Sequence, residues 1–475
     1  MSDFIEGAGR GQQILFPDVV DDYVSATNPV RFIDGYVDGL DLEALGFVRA
    51  EPAWTGRPGY DPSDLLKLYI YGYVNERRSS RKLEREVHRN VELMWLLRKL
   101  RPDFKTIAEF RRKNGAAIRG VFREFTLLCK RLGLFGGELV AIDGSKFRAV
   151  NGKKSNYSRS MLEEIVTAID KRIEAYLGET EVADREEETS PNPSGEASDK
   201  LEQLRVRAQE CRAMLAELDR TGQRQISLTD PDSRAMKVRV GTDICYNVQT
   251  AVDEKNKLIV AVEVTNEATD RNWLSPMAIQ AKQILGTESL TVVADTGYSS
   301  AREVKACLQE NITPYLPKPQ TSANKSRGLF TKDDFRYHAQ QDTYICPAGE
   351  TLSFRHQGFE KGRPIRYYTT SACRTCPLRP RCTRNKGTRR ISRHADEHLL
   401  EDMNARAAAH PEILRRRKSI VEHPFGTIKR AMHQAYFLMK GLDNVRTEFS
   451  LSALAYNLKR VLTLRTIPEL ITALA

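Results

Sequence analysis

Apolar residues recur three and four positions apart through most of the first 135 residues, the spacing of helices that bury one face. Asp61 before Pro62, with Asp64 close behind, predicts an N-cap, an N1 proline and a capping-box-like start for an amphipathic helix over Leu65 to Val74. Thr106-Ile-Ala-Glu109 predicts a second capping box, opening a helix that carries Phe110, Ile118 and Phe122. Between them Leu83, Val87, Leu93, Trp95 and Leu96 supply apolar faces beside Arg81, Arg85 and Arg89. Such a basic helical unit reads equally well as a DNA reader and as a plain packing domain.

The period changes after Gly136-Gly137. Leu139 to Ile142 is a short continuous apolar run ending in Asp143, which predicts a buried strand. Beyond Asn151 the chain turns polar. Met161 to Tyr176 and Lys200 to Leu218 have helical spacing and predict an inserted hairpin, with Glu186 to Ser198 as an exposed, unstructured turn. Strands return at Asp243 to Val252 and Leu258 to Val264, joined by the hairpin connection Asp253-Glu-Lys-Asn256. A helix over Trp273 to Leu285 and a strand over Leu290 to Ala294, ending in Asp295, complete the opening of a mixed α/β sheet. The segment after Tyr315 reads as irregular, and roughly the last 75 residues return to helical spacing.

Length and composition narrow the class. A chain of 475 residues with 40% hydrophobic and 29% charged residues can fill several cores and reads as soluble. No apolar run approaches the roughly 20 residues that span a bilayer, and Met1 to Arg10 lacks a signal-peptide pattern. The expected location is the cytoplasm. The net charge of +11 is unevenly spread. Residues 77–131 hold 17 Lys/Arg against 6 Asp/Glu and residues 379–440 hold 15 against 6, whereas residues 158–224 hold 10 against 16. Two basic blocks separated by an acidic one suit a polyanionic partner, and they also suit solvated helix faces.

The candidate chemistry lies in three acids. Asp143 and Asp295 each follow an apolar strand and precede small or turn-forming residues, Gly144-Ser145 and Thr296-Gly297. Two carboxylates at neighbouring strand ends can share a hard divalent cation; singly, each is an ordinary turn former. Glu422 follows the run Arg415-Arg416-Arg417-Lys418, and on a helix Lys418, Glu422 and Lys429 share one face. Pro424 is expected to kink or interrupt that helix.

Three segments, Val140-Ala-Ile-Asp-Gly-Ser-Lys146, Val293-Ala-Asp-Thr-Gly-Tyr298 and Val421-Glu-His-Pro-Phe-Gly-Thr-Ile-Lys429, resemble the DDE-type transposases of bacterial insertion sequences. The basic helical start and the run Thr229-Asp-Pro-Asp-Ser-Arg234 are similar too, so the likeness spans nearly the whole chain in the right order. It implies a ribonuclease-H-like core and two divalent ions, Mg²⁺ or Mn²⁺, held by Asp143, Asp295 and Glu422. It also implies cleavage and strand transfer on double-stranded DNA at terminal inverted repeats and a target, by at least a homodimer near the bacterial nucleoid. Lys429 fits the family's lysine after the glutamate, and Lys418 stands in for its arginine. Arg415 occupies a tyrosine position, a departure from the pattern. Arg415, Lys418, Lys429 and Lys146 are the expected DNA contacts. A ribonuclease-H-like nuclease without strand transfer, and a DNA-binding protein derived from a transposase, are the rival readings.

Eight cysteines complete the inventory. Cys129, Cys211, Cys245 and Cys307 read as small core residues. Cys346, Cys373, Cys376 and Cys382 cluster among Pro, Arg and Lys, and two readings stay open: a structural zinc-ribbon-like site holding one Zn²⁺, or reduced surface thiols. The expected organisation is a helical DNA-binding domain (1–135), a catalytic α/β core (136–157 and 226–325), an inserted helical hairpin (158–225), a cysteine-rich insert (326–395) and C-terminal helices carrying Glu422 (396–475).

Overall fold

The helical opening divides into α1 (Pro29–Asp38), α2 (Pro62–Val74), α3 (Ser80–Val87), α4 (Val91–Leu96), α5 (Phe104–Lys113) and α6 (Gly115–Arg131). The structure, a computed structural model, describes residues 19–50, 59–186, 195–319, 322–360, 363–385 and 387–474. Met1 to Arg10 and most of the turn expected at Glu186 to Ser198 lie outside the described residues. Asp61 caps α2, accepting from the Ser63 amide at 2.8 Å with Pro62 at N1, as its sequence predicts. Asp64 is no capping residue: it is buried and accepts from Arg98 at 2.8 and 2.9 Å. The second cap also lies elsewhere. Asp103 accepts from the amides of Lys105 and Thr106, and Glu109 pairs with Lys113 instead. Asn114 then divides the expected single helix, because its amide bonds the Val48 N–H and the Phe110 carbonyl.

The mixed sheet follows. β1 (Leu139–Arg148) lies between β5 (Thr242–Asp253), antiparallel to it, and β7 (Leu290–Val293), parallel to it. β8 (Ile312–Tyr315) continues in parallel beyond β7, while β4 (Arg234–Lys237) and β6 (Ile259–Thr265) share the far edge of β5. The parallel pair is joined by the crossover helix α10 (Ala301–Gln309). β1 does not stop at Asp143: it runs on for five residues because β5 pairs with it through Arg148. The Asp253 carboxylate fixes the hairpin expected there, accepting from the amides of Gly136, Gly137 and Lys255.

Side-chain alternation sorts the two faces. Val140 and Ile142 join Val292 and Ala294 in a core shared with α9 (Leu274–Leu285), α10 and α12 (Glu397–Ala409). Leu139, Ala141, Phe147, Tyr246, Val248 and Val293 face the opposite core, which includes the N-terminal helices, α13 (Pro411–Gly426) and α14 (Leu442–Leu464). Pro424 does not interrupt α13. The helix runs on to Gly426 and relaxes into one wide π turn, Thr427–Ala431.

Two insertions leave this core. Between β2 (Asn156–Ser158) and β3 (Gln225–Ser227), paired with each other, extend α7 (Arg159–Glu186) and α8 (Gly195–Thr221). The segment after Tyr315, expected to be irregular, instead contains a five-stranded antiparallel sheet. Its strands are β9 (Arg336–His338), β10 (Thr343–Ile345), β11 (Thr351–Glu360), β12 (Arg363–Thr369) and β13 (Ile391–His394), with the short α11 (Arg379–Cys382) before the last. Its strands escaped sequence reading because their core is small, built on Phe335, Tyr344, Leu352, Tyr368 and Ile391. The chain ends on α15 (Ile467–Thr472).

Helix α14 is buried along most of its length and joins the two halves. Asn457 accepts from the Ile259 amide and donates to the Ile259 carbonyl, at 2.8 Å each, tying α14 to the sheet edge. Glu448, fully buried, pairs with Arg78 at 3.1 Å and accepts from the amides of Leu438 and Met439. Burial pushes its carboxyl up, against the pull of Arg111 and Arg78. Breaking such a pair leaves charge stranded. Glu448→Gln is therefore expected to cost about 3–5 kcal/mol in urea unfolding, and Glu448→Leu with Arg78→Met less than the two single changes together. A loss below about 1 kcal/mol for Glu448→Gln would show the pair to be incidental.

Candidate active site

Asp143 lies within β1, and Asp295 lies two residues beyond the end of its parallel neighbour β7. The register sets Ala141 beside Val293, so two residues further on Asp143 falls beside Asp295, on the face of the sheet that α13 covers. The local chain at each is fixed by its own amides. Asp143 Oδ1 accepts from the Gly144 amide at 2.9 Å, and Asp295 caps a single 3₁₀ turn by accepting from the Gly297 amide at 2.7 Å. Across the ladder from Asp143 stands Thr250, whose buried hydroxyl has no hydrogen-bond partner.

Helix α13 and the π turn that follows it lay one cation each over this face. Arg417 Nη1 lies 3.4 Å from Asp143 Oδ2. Lys429 donates from Nζ to Ser145 Oγ at 2.6 Å and to the Lys146 carbonyl at 2.7 Å, over the ring of Phe147. Burial lowers the Lys429 amine to about 8. Burial also raises Asp143 to about 6; Arg417 opposes the rise, and the charges of Asp295 and Asp270 add to it. Two carboxylates brought side by side on a partly buried face offer hard oxygen donors of the kind that fit a divalent cation.

Glu422 stands apart. It is exposed, with 65% of its side chain accessible, and its ion pair is with Lys418 at 3.8 Å, one turn back on α13. Neither residue has a contact with the aspartates among those described. Arg415 is exposed and donates only to the Pro411 carbonyl. Lys146 points through the opposite face of the sheet to Asp270, at 3.3 Å. Among the described residues no group of three or more His, Cys, Asp or Glu is arranged to hold a metal ion.

That statement includes the clustered cysteines. Burial raises the Cys382 thiol, Arg389 opposes this, and Cys373, Cys346 and Cys376 are near enough to add to it. The four are neighbours, all half-buried, but they do not close into a ligand set. Cys129, Cys211, Cys245 and Cys307 are buried core residues, as expected.

Arg417 and Asp270 were missed in the sequence. Arg417 was hidden in a run of four cations, where only a third dimension tells which one turns inward. Asp270 left a signal. Asn247 and Gln249 are fully buried polar residues on β5, and buried amides need partners. Both donate to Asp270 Oδ1, at 2.6 and 2.7 Å, and Gln249 in turn accepts from the buried Tyr298 hydroxyl. A Cβ on Gly144 would stand 2.4 Å from Asp270 Oδ1 and 2.5 Å from Gln249 Nε2, so the glycine after Asp143 is what lets this network close.

Known proteins place the chain. Residues 18–113 match the family described as transposase domain (DUF772), and residues 345–462 match the family described as transposase DDE domain. The two matches are transposase families, and each covers about a quarter of the chain or less, one near either end. Glu422 lies within the second matched stretch, and Asp143 and Asp295 lie outside both. A cryo-EM structure of the piggyBac transposase synaptic complex with hairpin DNA aligns with 95% of this chain and 80% of its own. The identity is 9% and the TM-score 0.32, a likeness too loose to carry an argument. No curated protein sequence matches the chain. Among its described residues no helix is long and apolar enough to cross a membrane.

Two measurements test this geometry. Between the unfolded carboxyl value near 4 and the raised value near 6, the folded state binds Asp143's proton more tightly. Stability from this group is therefore highest below pH 4 and declines as pH rises through 6. Asp143→Asn should stabilise the protein by about 2 kcal/mol at pH 7.5 and by little at pH 4; an equal effect at both would place the aspartate's proton elsewhere. Gly144→Ala should cost about 1–3 kcal/mol, recovered in part by Asp270→Gly. No loss on Gly144→Ala would remove the steric claim.

Proposed function

We propose that this protein is a transposase of the DDE type, which cuts and joins DNA at the ends of an insertion sequence by metal-dependent displacement at phosphorus. The observation that carries the reading is the pairing of Asp143 with Asp295 on neighbouring strands beneath Arg417 and Lys429. Asp143 and Asp295 would hold the divalent cation, with Glu422 as the third acid by family resemblance. A bound pair of Mg²⁺ or Mn²⁺ ions supplies an activated water or 3′-hydroxyl and stabilises the leaving oxygen.

The chain's own groups have distinct parts. The two aspartates would act on the reacting phosphate only through the cation they would hold, and Arg417 offers a guanidinium fork to a phosphate once Asp143 engages elsewhere. Lys429 braces β1 where Ser145 and Lys146 pass under α13. Lys418 and Arg415, exposed on the same helix, are in position for backbone phosphates outside the site, and Lys146 braces Asp270. The helices of residues 1–135 are proposed to read the element end, residues 136–157 and 226–325 to form the ribonuclease-H-like core, and residues 396–475 to bring Glu422. Duplex DNA is the partner, paired ends call for a homodimer, and a zinc ion at Cys346, Cys373, Cys376 and Cys382 would be structural, apart from the reaction.

A second reading has its own support. The Arg417 pair with Asp143 and the outward Glu422 suit a protein that has kept its DNA grip and lost its chemistry. One experiment separates them. Purified protein is incubated with labelled duplex carrying the inverted repeat that brackets the reading frame, with Mg²⁺ or Mn²⁺. Asp143→Ala, Asp295→Ala and Glu422→Ala are each expected to lower end cleavage about 100-fold or more while DNA binding persists. Cleavage by all three at the wild-type rate would refute the assignment, and binding without cleavage by the wild type would favour the second reading.

A further inference from the structure

The strongest unassigned feature is electrostatic and lies in the second sheet. Residues 351–394 carry 12 Lys/Arg and one acid, Glu360. Their net charge equals the +11 of the entire chain, so the remaining 431 residues balance to zero. Chains rarely concentrate charge this way without a partner, because like charges on a compact unit repel and destabilise it.

Part of that charge is used internally. Arg393 is buried and pairs with Glu401 at 2.6 and 2.7 Å, and Arg366 pairs with Asp342 at 2.6 Å. Arg355, Arg374, Arg381, Arg384 and Arg390 are all exposed and have no acidic partner among the described residues. Arg355 occupies the irregularity between Phe354 and His356, where β11 bends against β12. Beside it His356 stacks on Tyr367 at 4.9 Å, and Arg390 lies over that tyrosine at 5.6 Å. At the hairpin end Phe359 is 73% exposed. Arg390 over Tyr367 and Arg381 over Phe330 are held by rings rather than by salt bridges, and Arg355 and Arg384 stand exposed, so all four keep their charge for an outside anion.

We propose that the β9–β13 sheet is a second DNA-binding surface, in which Arg355, Arg384 and Arg390 contact backbone phosphates of duplex DNA. The partner is chosen by charge. A polyanion with phosphates along its length matches cations spread over a hairpin and its flanking loop, and arginine recognises phosphate in bidentate fashion. The inference rests on the proposed function only in taking DNA as substrate; it does not involve Asp143, Asp295 or Glu422.

The test uses the full chain and a mixed-sequence 40-bp duplex of about that length, titrated by fluorescence anisotropy at several KCl concentrations. Replacing Arg355, Arg384 and Arg390 together by Gln should weaken binding about 10-fold or more and reduce the slope of log K against log salt by about 2–3, near one per lost phosphate contact. Arg355→Gln alone, clear of the sheet's core, should reduce the slope by about one. As a control, Lys171, Arg172 and Arg205 on the acidic α7–α8 hairpin, replaced by Gln, should leave the slope unchanged. An unaltered slope in both the triple variant and Arg355→Gln would overturn the inference, as would an equal reduction in the control. A change in sedimentation without a change in slope would overturn it in favour of a contact between copies. A wild type that binds no duplex would instead defeat the proposed function itself.

Discussion

A carboxylate sealed from water holds the two halves of this protein together. Glu448 sits in the middle of α14, and its oxygens are shared between Arg78 from the N-terminal helices and the amides of Leu438 and Met439. The segment it grips continues the sheet, since the Phe437 amide donates to the Arg148 carbonyl at the end of β1. Helices from the start of the chain, the first strand and the last long helix therefore meet at one buried charge. Desolvation makes that charge expensive unless every partner is present, which ties the three segments into one cooperative unit.

The site inherits its geometry from this arrangement. With α14 fixed against β6 by Asn457 and against α2–α3 by Glu448, the π turn before it carries Lys429 down onto Ser145. Arg417, three turns earlier on α13, reaches Asp143. Neither cation is there because of a local motif. They arrive because a helix more than 250 residues downstream is packed over β1. A guanidinium on a half-buried aspartate also resolves an electrostatic conflict: Asp295 and Asp270 both raise Asp143's affinity for its proton, and Arg417 opposes them. A divalent cation at the paired aspartates would do the same work with two charges rather than one, so arginine and metal compete for one role.

What was legible in the sequence follows from range. Period-two and period-three-to-four patterns are local, and they found the helices of the first 135 residues, β1, β5, β6, β7 and the charged hairpin. Cap positions were read less well, because Asp103 reaches two amides where Thr106 was expected to start the turn. The small sheet of β9–β13 stayed hidden because its strands are short and mostly exposed, so few of its positions alternate. The two aspartates were readable as acids that follow apolar runs and precede small residues, although β1 runs on past Asp143 rather than ending there. Arg417, Asp270 and the outward Glu422 were not, since each depends on which side of a helix or sheet a distant segment covers. Asn247 and Gln249 come closest to an exception: two amides in a buried strand require an acid or carbonyl nearby, although they do not say which one.

The insertions show how such a core tolerates so much added chain. The α7–α8 hairpin leaves and returns through a single ladder, with Asn156 opposite Ser227, so its ends are pinned a strand spacing apart however long the helices grow. Loop closure then costs little more for a long excursion than for a short one. Charge is treated differently in the two insertions. On the acidic hairpin Arg159, Arg207, Arg212 and Arg220 all pair with acids of the insertion, so much of its positive charge is neutralised there. On the β9–β13 sheet Arg366 and Arg393 are paired with Asp342 and Glu401, but among the described residues Arg390 and Arg381 have no acid beside them and lean on Tyr367 and Phe330 instead. Neutralised cations stiffen an insertion; cations held on aromatic rings leave their field outside it. The same net charge on the chain therefore describes two opposite physical designs, and only the distribution of acids around each arginine distinguishes them.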